Sequence, residues 1–262
     1  MKKFRGSALV ASAAAFALTI TGCAATDELS PTTSPSESAA TTEWYEDLAP
    51  QITVGWNDII DTFNTSSAAG NNVGNSLTAY LTSSGFNYYD SAPALVKNTE
   101  FGSYEIVVED PLTVKYTIND GVVWSDGTAI DGADMLLAWV ATFGYYKNED
   151  GSYVFAHAAP KDTLASKLPT VDGNSITFEY DVQYVDWELQ FGVGVSAHGT
   201  VMMAHEDITD AAAAKQALID AVMNGDDAFM ADVATVWNEG YSFTNTPDNP
   251  LAYLSSGPYV LE

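Results

Sequence analysis

Beyond Arg5 the chain contains no arginine, and after its first five residues it has only six lysines against 35 aspartates and glutamates. That remainder carries a net charge of −29. Nucleic acid is excluded as a partner, because such partners are held by Lys and Arg neutralising phosphates. Cysteine is almost missing too: Cys23 stands alone, which rules out an internal disulfide and a Cys-based zinc site. No motif asks for a cofactor, and no internal repeat is visible. Stability must therefore come from an apolar core, for which 14 Tyr, 11 Phe and 6 Trp supply the area. A length of 262 residues suits one or two globular domains.

The basic residues Lys2, Lys3 and Arg5 precede an unbroken small or apolar run over 8–20, the pattern of a secretory signal. Thirteen residues are too few to span a bilayer permanently. The run closes on Ile20-Thr21-Gly22-Cys23, which resembles the bacterial lipobox and implies diacylglycerol on the Cys23 thiol. Residues 1–23 are thus expected to be a lipoprotein signal peptide. Residues 24–43 lack aromatics and are dense in Ser, Thr and Pro, too poor in apolar area to offset ordering entropy, so they are expected to form a disordered linker. The globular body is expected over 44–262, at the extracytoplasmic face of a bacterial cell membrane and held there by lipid.

Within the body, 52–56 reads as a short buried strand and 58–63 as a short helix. A helix is expected to close at 77–81. Residues 101–108 and 112–118 alternate around Glu109-Asp110-Pro111, the pattern of a hairpin. Asp131 is placed to cap a helix running to about Phe143, almost without a polar face and therefore buried. Further strands are expected over 174–181 and 187–195, and helices over 211–223 and 226–237, the first capped by Asp210 or Thr209. The end of the sequence, Gly257-Pro258-Tyr259-Val260-Leu261-Glu262, looks like the opening of a strand and suggests that a longer protein continues past it.

Several catalytic and metal motifs are approached in the sequence but not met. Asp126, Asp131 and Asp134 lie close together, as a glycosidase pair requires, but they fit turn and cap patterns and read better as solvated carboxylates. Around Gly151 an EF-hand register would put Tyr146 first and His157 twelfth, neither a calcium ligand there, so a hairpin tip is preferred. His157, His198 and His205 form no HExxH motif and are expected to be structural. Gly194-Val195-Ser196-Ala197-His198 misses the second glycine of a nucleophile elbow.

The segment Val114 to Thr128, reading VKYTINDGVVWSDGT, followed by Asp131-Gly132-Ala133-Asp134 and the Trp139 helix, resembles the signature of the family 5 extracellular solute-binding proteins. Tyr184-Val185-Asp186-Trp187-Glu188, Ala197-His198 and Ser256-Gly257-Pro258-Tyr259 extend the similarity along the body. The resemblance implies an α/β receptor of the periplasmic-binding-protein type II class. Only the first lobe and an accessory subdomain are expected here, the second lobe being absent. It implies no enzyme but a lipoprotein, expected to be monomeric, that captures oligopeptides or dipeptides and delivers them to the permease and ATPase subunits of an ABC importer. Receptors for nickel, haem or sugar in the same family are the alternative, and an acidic secreted hydrolase a remoter one.

By the same resemblance Ala69, Gly70 and Asn71 are expected to face the ligand, Gly70 by letting main chain approach closely and Asn71 as both donor and acceptor. Tyr153 is expected either to roof the cleft with its aromatic face or to serve the core. Lys97, Lys115, Lys147, Lys161, Lys167 and Lys215 are the body's only cations, so few groups stand ready to pair a peptide carboxylate. The groups pairing the ligand termini are expected largely on the second lobe.

Overall fold

The computed structural model describes Gln51, 53–245 and 247–261. The chain divides into two units at Val54 and Gly55. The few described residues of the first carry no helix or strand. The proposed signal peptide, the lipobox with Cys23 and the Ser/Thr/Pro linker all lie outside the described residues.

In the second unit the elements run α1 (Val73–Thr82), β1 (Asn87–Tyr89), β2 (Leu95–Lys97), β3 (Gly102–Glu109), β4 (Leu112–Ile118), α2 (Gly132–Thr142), β5 (Thr170–Asp172), β6 (Ser175–Glu179), α3 (Ala197–Ala204), α4 (Ala211–Asn224) and α5 (Asp227–Thr235). Strands β3, β4, β6 and β5 form an antiparallel four-stranded sheet in that order, and β1 and β2 pair separately. The hairpin predicted around Asp110-Pro111 is present. Along β4 every second residue, Leu112, Val114, Tyr116 and Ile118, is buried, as the two-residue period of a strand dictates. Tyr116 stacks on Phe178 of β6 with ring centroids 5.6 Å apart, and Phe86, Phe143 and Phe191 close around the pair.

Helix α2 is the hub of the core. Asp131 and Asp134 form the capping box that starts it, and every residue from Gly132 to Ala141 is buried. It contacts β5 and β6 as well as α3 and α4, so a helix apolar all round is what its position requires. Gly132 sits where a Cβ would lie 2.7 Å from the Gly173 carbonyl, and this close approach seats α2 on the β5–β6 turn. Trp124 and Trp139 are both buried. Helix α4 is capped by Asp210, whose carboxylate accepts the Ala213 N–H at 2.8 Å, and it stops at Gly225 with φ +71°. Helix α5 follows its cap Asp226 and ends in a π turn, Val236–Gly240.

Four expectations are corrected. Thr53 to Trp56 form no strand, and Val54 and Trp56 are exposed; Ile52 lies outside the described residues. An apolar run alone does not make a strand when no ladder is there to take its N–H and C=O groups. Residues 58–63 are not helical. Their backbone is drawn instead into side-chain bonds, Asn75 Oδ1 accepting the Asp61 N–H at 3.0 Å, while Thr62 bridges to Ser242. Residues 187–195 open with a 3-10 turn, Trp187–Leu189, and continue without joining a sheet. Residues 257–261 likewise form no strand. Of the short strands, β1, β2 and β5 carry too few residues to show a period.

Candidate functional site

The motif residues that carry the family resemblance form an internal latch. Asp134 is fully buried. One of its oxygens accepts Trp124 Nε1–H at 3.1 Å and the Ala197 N–H at 2.8 Å, and the other accepts the Asp131 N–H at 3.0 Å and Lys215 Nζ at 2.7 Å. Lys215 also reaches Asp131 at 3.1 Å. Asp126 accepts the Thr128 N–H and pairs with the buried His198 at 2.9 Å. Burial pushes the Asp126 carboxyl up, but the Thr128 N–H and His198 outweigh it and hold it below the usual aspartate range. The turn and cap readings hold for Asp126, which is exposed, and for Asp131, which caps α2 half-buried, but the reading of Asp134 as a solvated carboxylate is wrong. Asp134 is an interior anion with its acceptor sites filled, and Asp126 and Asp131 are both engaged. Lys215 is equally committed, and it is not a free cation for a ligand.

The latch matters for position because the Ala197 N–H it grips lies two residues past the segment Phe191 to Val195. That segment forms one wall of an open groove of about 440 Å³. The opposite boundary comes from the loop over 64–71, which is stitched in place from two sides. Buried Asn64 donates to the Trp237 carbonyl at 2.6 Å and buried Asn75 to the Gly70 carbonyl at 3.1 Å. The Ala68 N–H bonds Ala156 O at 2.7 Å and the Ala158 N–H bonds Ser66 O at 2.9 Å. These bonds bring Thr65, Ser66 and Asn71 to the groove together with His157, Lys161 and Trp237.

Four features of this groove stand out physically. No aspartate or glutamate lines it, in a chain with 35 of them. The N–H and C=O groups of all five residues from Phe191 to Val195 have no hydrogen-bond partner among the described residues, although Phe191 is buried. A Cβ on Gly192 would meet nothing within 4 Å, and one on Gly194 only Ser66 Oγ at 4.0 Å, so another chain has room to approach that backbone. Lys161 donates to Gln190 O at 2.8 Å and has no carboxylate within ion-pair distance among the described residues. Burial lowers its ammonium pKa. Burial, and then the Lys161 charge, also lower the pKa of His157, whose Nδ1 accepts the Ala159 N–H at 3.0 Å.

Of the four expected ligand residues, the structure places Asn71 on this groove and does not bring the others to it. Gly70 is buried, with a Cβ position 2.1 Å from Asn64 O; its N–H is turned to Ser67 and its C=O to Asn72 and Asn75. Ala69 lies beside Asp61 and Phe243 at a different pocket. Tyr153 packs against Gly144, with Lys147 Nζ 5.2 Å above its ring. The wall from Phe191 to Val195 was missed as a site because its alternation reads as an ordinary strand. Its two glycines were the signal. Among the described residues no cluster of three or more His, Cys, Asp or Glu is placed to hold a metal ion, and no helix is long and apolar enough to cross a membrane.

No protein-family model matches the chain. It is 26% identical over 230 residues to an uncharacterised lipoprotein of Mycobacterium leprae, covering 86% of this chain and 39% of that one. It is 24% identical over 222 residues to an uncharacterised lipoprotein of Mycobacterium tuberculosis, covering 82% and 37%. The oligopeptide-binding protein OppA of Mycobacterium tuberculosis is 27% identical over 187 residues, covering 67% of this chain and 31% of OppA. Among solved structures, a periplasmic EDTA-binding protein, EppA, superposes with a TM-score of 0.54 at 22% identity, over 78% of this chain and 32% of that one. The chain thus spans less than two-fifths of the length of these curated relatives. It has the mixed α/β fold of part of a periplasmic solute-binding protein and a distant sequence similarity to mycobacterial lipoproteins and to OppA.

Proposed function

We propose that the protein to which this chain contributes is an extracytoplasmic solute receptor, anchored by lipid at Cys23, that captures oligopeptides or dipeptides and hands them to an ABC importer. The observation that carries the reading is the groove beside Phe191 to Val195, whose unpaired main chain is what an extended ligand needs in order to add as a strand. The fold shared with a periplasmic binding protein and the similarity to OppA support it. Asn71 is the residue of the expected ligand loop that serves this role. The glycosidase pairing of Asp126, Asp131 and Asp134 is disfavoured, because Asp131 and Asp134 are bound to Lys215 and Asp126 to His198.

Calorimetric titration with a mixed di- to pentapeptide pool, followed by mass spectrometry of the mixture, tests the proposal. Heat of binding with the peptides recovered intact is the expected result. Cleaved peptides would identify a hydrolase, and heat only from nickel, haem or a sugar would move the substrate class.

A further inference from the structure

We infer that the groove holds the carboxylate end of an extended ligand, with Lys161 as its ionic anchor and the main chain of Phe191 to Val195 as the strand along which the rest of the ligand lies. The inference rests on the reading of the chain as a solute receptor and adds the recognition chemistry to it.

The argument begins with what surrounds the amine. Lys97, Lys147, Lys167 and Lys215 each pair with a carboxylate, and Lys115 on β4, which makes no ion pair among the described residues, is not part of the groove lining. Lys161, half-buried against the Gln190 carbonyl, does not. Withdrawing an ammonium from water without a counter-charge is costly, and in a chain this acidic a carboxylate partner is the easiest remedy. Yet every acid is kept out of the groove lining. At physiological salt, charges beyond about 8 Å are largely screened, so the acidic surface elsewhere does little to repel an anion seated beside this amine. Burial favours the neutral amine, and an incoming carboxylate reverses that preference by stabilising the charged form.

The wall beside it adds direction. Lys161 donates to the carbonyl of Gln190, and the unpaired backbone begins at the next residue, Phe191. A ligand chain ending at the ammonium therefore has five consecutive residues of free N–H and C=O groups to run along. Gly192 and Gly194 leave space for its side chains and backbone. Thr65, Ser66 and Asn71 supply hydroxyl and amide groups across the groove. His157, the other titratable group there, is held toward its neutral form beside Lys161 and does not compete as a cation.

The test uses the full chain labelled with ¹³C-lysine and ¹⁵N, with trialanine and trialanine amide as probes, the Lys161 resonance being assigned with Lys161→Met. Trialanine is expected to move the Gly192 and Gly194 amide signals and to raise the pKa read from Lys161 Cε. The amide is expected to bind at least about tenfold more weakly and to leave the Lys161 titration unchanged. If both probes move the glycine signals equally and neither alters Lys161, the anchor is wrong while the groove remains a ligand site. If neither probe moves the glycine signals, the receptor reading of this groove fails with it.

Discussion

Asp134 shows how a residue type that usually marks the surface comes to hold an interior together. Its carboxylate receives two backbone N–H groups, an indole N–H and an ammonium, which together offset the loss of hydration. Asp134→Ala should cost about 3–5 kcal/mol, because it leaves the buried Trp124 indole and Ala197 N–H groups without an acceptor and Lys215 with Asp131 as its remaining carboxylate. Pairing it with Lys215→Met should recover part of that loss, and denaturant titration of the three variants checks both statements. Asp126 makes a different statement, about pH. Its folded pKa lies below the unfolded one, so the stability it contributes is present above the ordinary aspartate value of about 3.9 and is lost as pH falls through the lower folded value. Asp126→Asn should therefore lose less stability than the parent between pH 6 and pH 3, as read by urea midpoints.

At the scale of elements, legibility followed from length and punctuation. Helix α2 was readable from Asp131 and its apolar run, α4 from Asp210 and Gly225, and the β3–β4 hairpin from alternation around Asp110-Pro111. In each, local preference and burial point the same way. Edge strand β3 bulges between Ile106 and Val108, and Ile106, Val107 and Val108 are exposed, so its apolar residues overstated its burial. Residues 187–195 have strand chemistry without a strand partner, and pairing is a tertiary fact that no local pattern contains. Of the four residues expected at the ligand, only Asn71 lines the groove. Gly70 permits close approach, as a ligand contact requires, but the chain approaching it is its own, at Asn64. Lys161 was visible as one of six cations, and only the fold separates it from Lys215. Because α2 touches both the sheet and the α3–α4 layer, Trp139→Ala should cost about 3–5 kcal/mol in denaturant titration. A loss below about 1 kcal/mol would mean that the side chain does not fill the core as described.

For the whole molecule the questions are where it resides and what it holds. With a diacylglycerol on Cys23, each buried CH₂ contributes about 0.8 kcal/mol, so two chains keep the protein on the membrane. Cells fed radiolabelled palmitate should label the parent and not Cys23→Ala, and equal labelling of both would refute the anchor. The central claim concerns the groove between the loop over 64–71 and Phe191 to Val195. Gly194 offers the most direct measurement, because a side chain there enters open groove space rather than packed core. Peptide titration of Gly194→Leu beside the parent, with melting temperatures of both, is that measurement. Unchanged melting with binding reduced at least about tenfold is the predicted result; unchanged melting with undiminished peptide affinity would show that the ligand sits elsewhere.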